Sequence, residues 1–291
     1  MKINLVTVVG HATPTTKHFI DYYKDKVDEI FVNVHLTKSK KENNLLLDSI
    51  KNITNDVGCG IHKVHNGELY YRDQITDIYN ETKSLKPDEW WIVADDDELQ
   101  VYTNPINEIV EECEEEGYEF VTGGFLDRLG VNGTLPEIND DSDLFSQFPL
   151  GGSFRYLLSE ACPNKCTLMK GKIEISSGQH YALIDGWEVR TRENSTKALG
   201  NKHPLRYPTD KCFTQVHHFK WDNTVIDRMK EIVENGNHKN WYWEYEEMLT
   251  HFSMNDWKVD ITKPEFYIQN CSNIYEDFKD WDKIRDLYLM V

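Results

Sequence analysis

No run in this chain approaches the roughly 20 apolar residues that a membrane-spanning helix requires. Positive charge is scarce: 32 Lys and Arg stand against 50 Asp and Glu, a formal net charge of −18. That field repels nucleic acid and anionic membranes, so a nucleic-acid acceptor is disfavoured short of a local basic groove. Cysteine is sparse, six in 291 residues, which is the usage of a reduced compartment rather than of a disulfide scaffold. Cys162 and Cys166 in CPNKC have no second pair beside them, so zinc is not expected. The phosphate loop GxxxxGK[ST] is absent, as are internal repeats and low-complexity linkers. Met1–His11 is too short and wrongly flanked for a signal peptide, which predicts a cytoplasmic protein.

What is present in the first hundred residues is alternation. Strand patterns at Asn4–Val9, Glu29–Leu36, Gly60–Val64 and Trp90–Ala94 are separated by helical patterns at Thr16–Lys24, Asn44–Ile53 and Tyr70–Leu85. Repeated βα units predict an α/β fold with a mostly parallel sheet flanked by helices, and in such sheets ligands bind beyond the carboxyl ends of the strands. Asn104 and Pro105 predict the start of a further helix that ends at Gly117. From Glu119 the pattern changes to single strands and long loops, and Val225–Asn235 begins a helical, aromatic-rich C-terminal part. The expected organisation is one unit over 1–222, divided into a βα half (1–98) and a mixed half (99–222), with a helical extension over 223–291.

The segment WWIVADDDELQVY ends a buried strand in Asp95, Asp96, Asp97 and Glu98. Asp95 and Asp97, one residue apart at a strand end, repel each other unless a cation lies between them, and their oxygen ligands suit Mg²⁺ or Mn²⁺. Such an ion keeps open positions for phosphate oxygens, which points to a nucleotide or other diphosphate. Asp96 and Glu98 are expected to support the ligands, with Asp96 on the donor side; a solvated turn is the plainer alternative. In QVHHFKW, His217 and His218 point in opposite directions, so one of them is expected to add an imidazole ligand, with Lys220 meeting a phosphate. In GGFLDR the paired glycines permit close backbone approach, and Asp127 is either a positioned base or an ion-pair partner of Arg128. His180 and the stretch NWYWEY are candidates to line an acceptor pocket.

In this order, ADDDE, GGFLDRLGVNGTLPEI, LFSQFPLGG, KGKIEISSGQHYAL and VHHFKW resemble the family 2-type glycosyltransferases with the GT-A fold, a Rossmann-like architecture. The resemblance covers most of the chain from about Trp90 into the C-terminal extension. It implies a metal-dependent transfer of a sugar from a nucleotide-diphosphate donor, a UDP-sugar by preference, to a glycan or other hydroxyl acceptor. Asp95, Asp97 and one of His217 or His218 would hold Mn²⁺ or Mg²⁺. The strand ends near Thr13 and His35 would contact base and ribose, and Arg72 or Asp73 would lie near the donor. VVGHATPT departs from the family here, standing where many relatives have an Asn-Glu pair. In an inverting reaction Asp127 would be the base, with His180 or Glu174 behind it. Two other readings compete: a metal-dependent sugar-phosphate nucleotidyltransferase and a non-catalytic carbohydrate-binding module.

Overall fold

A computed structural model of the chain describes residues 1–10, 14–37, 40–67, 72–190, 203–235 and 242–291. Its first half is β1 (Ile3–Val9), α1 (Thr15–Tyr23), β2 (Glu29–Leu36), α2 (Lys40–Val57), β3 (Ile61–Asn66), α3 (Arg72–Ser84) and β4 (Trp90–Val93). Then follow β5 (Glu98–Val101), α4 (Ile106–Glu116), β6 (Phe120–Leu129), α5 (Leu144–Gln147), β7 (Leu150–Gly152), α6 (Arg155–Ser159) and β8 (Asn164–Lys170). A small antiparallel sheet is formed by β9 (Glu174–Ile175), β10 (Ala182–Ile184) and β11 (Trp187–Val189). The last elements are β12 (Thr214–His218), α7 (Val225–Asn235), α8 (Tyr242–Met254), β13 (Gln269–Asn270) and α9 (Trp281–Tyr288).

The main sheet has ten strands in the order β13-β7-β6-β8-β4-β1-β2-β3, with β12 against β6 and β5 against β12. Among the described residues β1, β2, β3, β4, β6, β12 and β13 run one way, and β5, β7 and β8 run the other. The expected mostly parallel α/β architecture is therefore present. Alternation along the strands explains why helices cover both faces. In β4, Trp90 and Ile92 enter one apolar cluster with Phe19 and Ile20 of α1, Leu46 and Ile50 of α2 and Ile109 of α4. Trp91 and Val93 point the other way and pack with Ile75, Ile78 and Tyr79 of α3. A strand buried on both faces reads as an unbroken apolar run, which is what WWIV is. Full burial of Ile92 or Val93 contributes roughly 1.5–3 kcal/mol.

Three local details differ from the sequence reading. The helix expected from Asn104 starts at Ile106, because Pro105 is extended (ψ 135°) and acts as its cap, its carbonyl accepting from the amides of Glu108 and Ile109. Gly117 ends that helix in the left-handed region at φ 81°, as glycine permits. The acidic run is followed at once by a strand, β5, which the sequence reading passed over. The paired glycines of β6 make room for protein: a side chain at Gly123 would meet the Thr214 carbonyl of β12, and one at Gly124 would meet the Tyr288 ring of α9. The C-terminal elements dock against the site-bearing strands. Trp281, Ile284 and Tyr288 of α9 pack with Leu126 and Phe213, while α7 and α8 pack through Met229, Met248 and Phe252 against Leu129 and Trp221. Among the described residues no helix is long and apolar enough to cross a membrane.

The end of α3 carries a measurable pH dependence. Lys83 is fully buried, its ammonium donating to the Ile173 carbonyl, and burial lowers its pKa to about 8. Below that pH both folded and unfolded chains hold the proton. Between about 8 and the ordinary value of 10.5 only the unfolded chain does, so Lys83 makes stability rise with pH across that window. The full penalty at neutral pH is about 3 kcal/mol. In thermal unfolding, the stability difference between Lys83→Met and the wild type is therefore expected to move in favour of the wild type from pH 8 to pH 10. A difference independent of pH would show that Lys83 is not depressed.

Candidate metal and diphosphate site

The carboxyl end of β4 turns sharply, the Glu98 amide donating to the Asp95 carbonyl at 3.0 Å, and the chain reverses into β5. That turn sends its acidic side chains in different directions. Asp96 faces α1 and accepts from the Thr16 hydroxyl. Asp95 faces α3 and β8: it accepts from the Tyr79 hydroxyl at 2.8 Å, from the Gln179 amide at 3.0 Å and from the Lys165 ammonium at 3.3 Å. Glu98 is buried and lies 2.7 Å from the same ammonium. Asp97 turns toward β12 and remains partly open to solvent.

Lys165 is itself nearly fully buried, and its third proton goes to the Gln179 side-chain oxygen at 2.7 Å. Gln179 sits in a short turn at φ 59°, in the left-handed region that a side chain rarely adopts. Asp95 keeps 38% of its side chain exposed, more than Asp97 at 19%; its partial desolvation works against the charge, but Lys165 and the hydrogen bonds from Gln179 and Tyr79 hold its carboxyl below the usual range. Burial pushes Glu98 up, with Lys165 opposing the shift and Asp95 and Asp97 adding to it.

On the β12 side, His218 pairs in register with Glu98 across β5 and with Asp127 across β6. Its ring stacks on Phe125 at 4.6 Å. Nδ1 lies 3.4 Å from Asp127 and Nε2 lies 3.8 Å from Asp97. Asp127 is buried and accepts from the Trp221 indole at 2.9 Å and from the Arg155 and Phe154 amides at 3.1 and 3.3 Å. Burial opposes its charge, but His218, Trp221 and the Arg155 amide hold its pKa low. Burial likewise depresses His218 despite the two carboxylates. With Nδ1 set against Asp127, a neutral imidazole would donate there and present its Nε2 lone pair on the Asp97 side.

One ligand atom each from Asp97, Glu98 and His218 lies within 4.8 Å of the others. Two carboxylates and an imidazole lone pair converging on one point suit Mn²⁺ or Mg²⁺, and the donor set fits such an ion. Asp95, Asp97, Glu98 and Asp127 crowd four acidic side chains around one buried ammonium, and their mutual repulsion, which helps to push Glu98 up, is what an added cation would relieve.

The other expected residues are distributed as follows. His217 points to the opposite face of the sheet, where Nε2 meets Gln215 at 3.1 Å and the ring packs edge-on against Phe145. Lys220 lies beyond the end of β12, so strand alternation no longer aims it; its ammonium rests over the Tyr245 ring of α8 at 4.9 Å. Arg72 and Asp73 begin α3 beside the Gln179 turn, with Asp73 accepting from Ser177 at 2.5 Å and Arg72 flanking Gly178. His180 closes that turn, with Nδ1 donating to the Asn164 carbonyl at 2.8 Å. Burial, reinforced by Lys165, depresses His180 to about 3, so it is neutral at working pH. His35 is buried at the end of β2 with Nδ1 unsatisfied, and Glu174 is exposed on β9. Thr13 lies outside the described residues. Sequence reasoning missed Lys165, Gln179, Tyr79 and Trp221. For Lys165 the available signal was a lysine inside the strand pattern NKCTLMK.

A cleft of about 690 Å³ lined by Met1, Ile3, Tyr22 and Tyr102 lies at the other end of β1 from the acidic turn. No family model matches the chain, and no curated protein matches it. Among solved structures it is similar to one described as a "Putative Glucose-1-Phosphate Thymidylyltransferase from Bacillus anthracis in Complex with a Sucrose". The two are 8% identical over 99% of this chain and 96% of that one, with a TM-score of 0.31, a likeness too distant to bear on activity.

Proposed function

We propose that this chain is a metal-dependent glycosyltransferase that moves a sugar from a nucleotide-diphosphate donor, a UDP-sugar by preference, to an acceptor hydroxyl. The observation that carries the reading is the convergence of Asp97, Glu98 and the His218 lone pair beyond the carboxyl end of a buried parallel strand. Asp97 and His218 hold the ion, with Glu98 beside them. A bound divalent ion supplies positive charge where a diphosphate leaving group develops its negative charge. Asp127 fixes the His218 ring and tautomer; its oxygens are already engaged by four donors, so it serves as a positioning residue and not as the base. In this reading His35 serves the base and ribose, and Arg72, Asp73 and Asp96 serve the donor; Thr13, the other base-side candidate, is outside the described residues. His180, neutral and hydrogen-bonded, orients the turn that carries Gln179.

The test is a calorimetric titration with UDP, GDP, CDP and the deoxythymidine analogue, each with Mn²⁺ and with chelator. One nucleotide, UDP first, is expected to bind with Mn²⁺ and to lose binding in chelator. Absence of metal-dependent binding for all four would remove this reading.

A further inference from the structure

Lys165 is placed as a metal ion would be. Its Nζ lies 2.7 Å from Glu98 Oε1, 3.3 Å from Asp95 Oδ2 and 2.7 Å from Gln179 Oε1, so its three protons meet three oxygens. The side chain is almost wholly buried and its backbone is fixed in β8 opposite Gly123. An ammonium is a compact point charge, and here it joins two carboxylates that flank Asp97 in the same turn. Enzymes that transfer nucleotidyl or phosphoryl groups with two metals need their ions about 4 Å apart, with carboxylates shared between them. In this chain a second ion on Asp95 and Glu98 would have to occupy the place of Nζ and bear its repulsion.

We propose that Lys165 is a resident cation that takes the second metal position, so that the site accepts one divalent ion, on the Asp97–His218 side, and not two. This rests on the glycosyltransferase reading for the first ion only. It assigns the acidic turn to single-metal diphosphate chemistry, because the group that would bind a second ion is already neutralised by the chain itself.

The number of Mn²⁺ ions bound, counted by electron paramagnetic resonance of the free ion during titration of the full chain, tests this. Wild type is expected to bind one, and Lys165→Ala, which empties the position and frees both carboxylates, two. Two ions on the wild type, or one on the variant with unchanged affinity, overturns the assignment of Lys165 and leaves the proposed function standing. No ion on the wild type and one on the variant supports Lys165 as the resident cation while removing the metal from the proposed function; none on either overturns both. If Lys165→Ala is unfolded without metal, recovery of its far-ultraviolet circular dichroism on adding millimolar Mn²⁺ supports the proposal. A variant that stays unfolded shows that a metal ion cannot replace the ammonium, and overturns it.

Discussion

Asp97→Ala is expected to abolish Mn²⁺-dependent nucleotide binding while leaving thermal unfolding nearly unchanged. The Asp97 side chain is partly exposed, and the His218 ring stands 3.8 Å from it, too far for a hydrogen bond, so among the described residues truncation leaves no donor stranded in the core. Loss of a supporting residue around a metal typically costs 10–100-fold in affinity, and loss of a charged ligand is expected to cost more than about 100-fold. Calorimetry with Mn²⁺ and the nucleotide reads this directly; affinity within a few-fold of wild type would remove Asp97 from the site. Asp95→Ala behaves differently. The sequence presents Asp95 and Asp97 as equivalent exposed acids, but Asp95 is the acceptor for Tyr79, Gln179 and Lys165, and its removal unbalances a buried ammonium.

Asp127→Asn is expected to lower both stability and metal affinity. The carboxylate takes donors from two backbone amides, the Trp221 indole and the His218 ring, buried in every case but the part-buried Arg155 amide. An amide in its place presents N–H to some of those donors, and breaking a buried charged network of this kind costs about 3 kcal/mol or more. In a chain of this size that lowers the melting temperature by roughly 6–12 °C. With His218 no longer held, Mn²⁺ affinity is expected to fall 10–100-fold. Thermal unfolding and a Mn²⁺ titration on the same sample separate this from a base at the acceptor. A base would leave both values intact and stop transfer alone; that result would restore Asp127 to the reacting atoms.

The architecture of the first half was legible because each element is written locally. WWIV declares a strand buried on both faces, and Ile75, Ile78 and Tyr79 declare one face of a helix. The position of the acidic run at a strand end was legible for the same reason. What the run does was not, since the partners that divide it lie far away in sequence: Lys165 is 70 residues from Asp95, and His218 is 91 from Asp127. The spacing of Asp95 and Asp97 suggests a pair, but the turn into β5 splays them, giving one to a lysine and the other to a histidine. GGFLDR misled in a similar way. Its glycines do mark close approach, but what approaches is Thr214 and Tyr288, both distant in the chain.

The hydroxyl of Tyr288 in α9 donates to the carbonyl of Phe125, the residue on whose ring His218 stacks, across 163 residues of chain. At a translation rate of about 5–20 residues per second, roughly 8–30 s separate the emergence of these two residues from the ribosome. For that interval the strand carrying Asp127 waits for the helix that covers it, with Leu126 lacking the apolar neighbours that α9 brings. A nascent chain stalled before α9 would thus own every acidic ligand of the site and still lack the brace beneath its histidine.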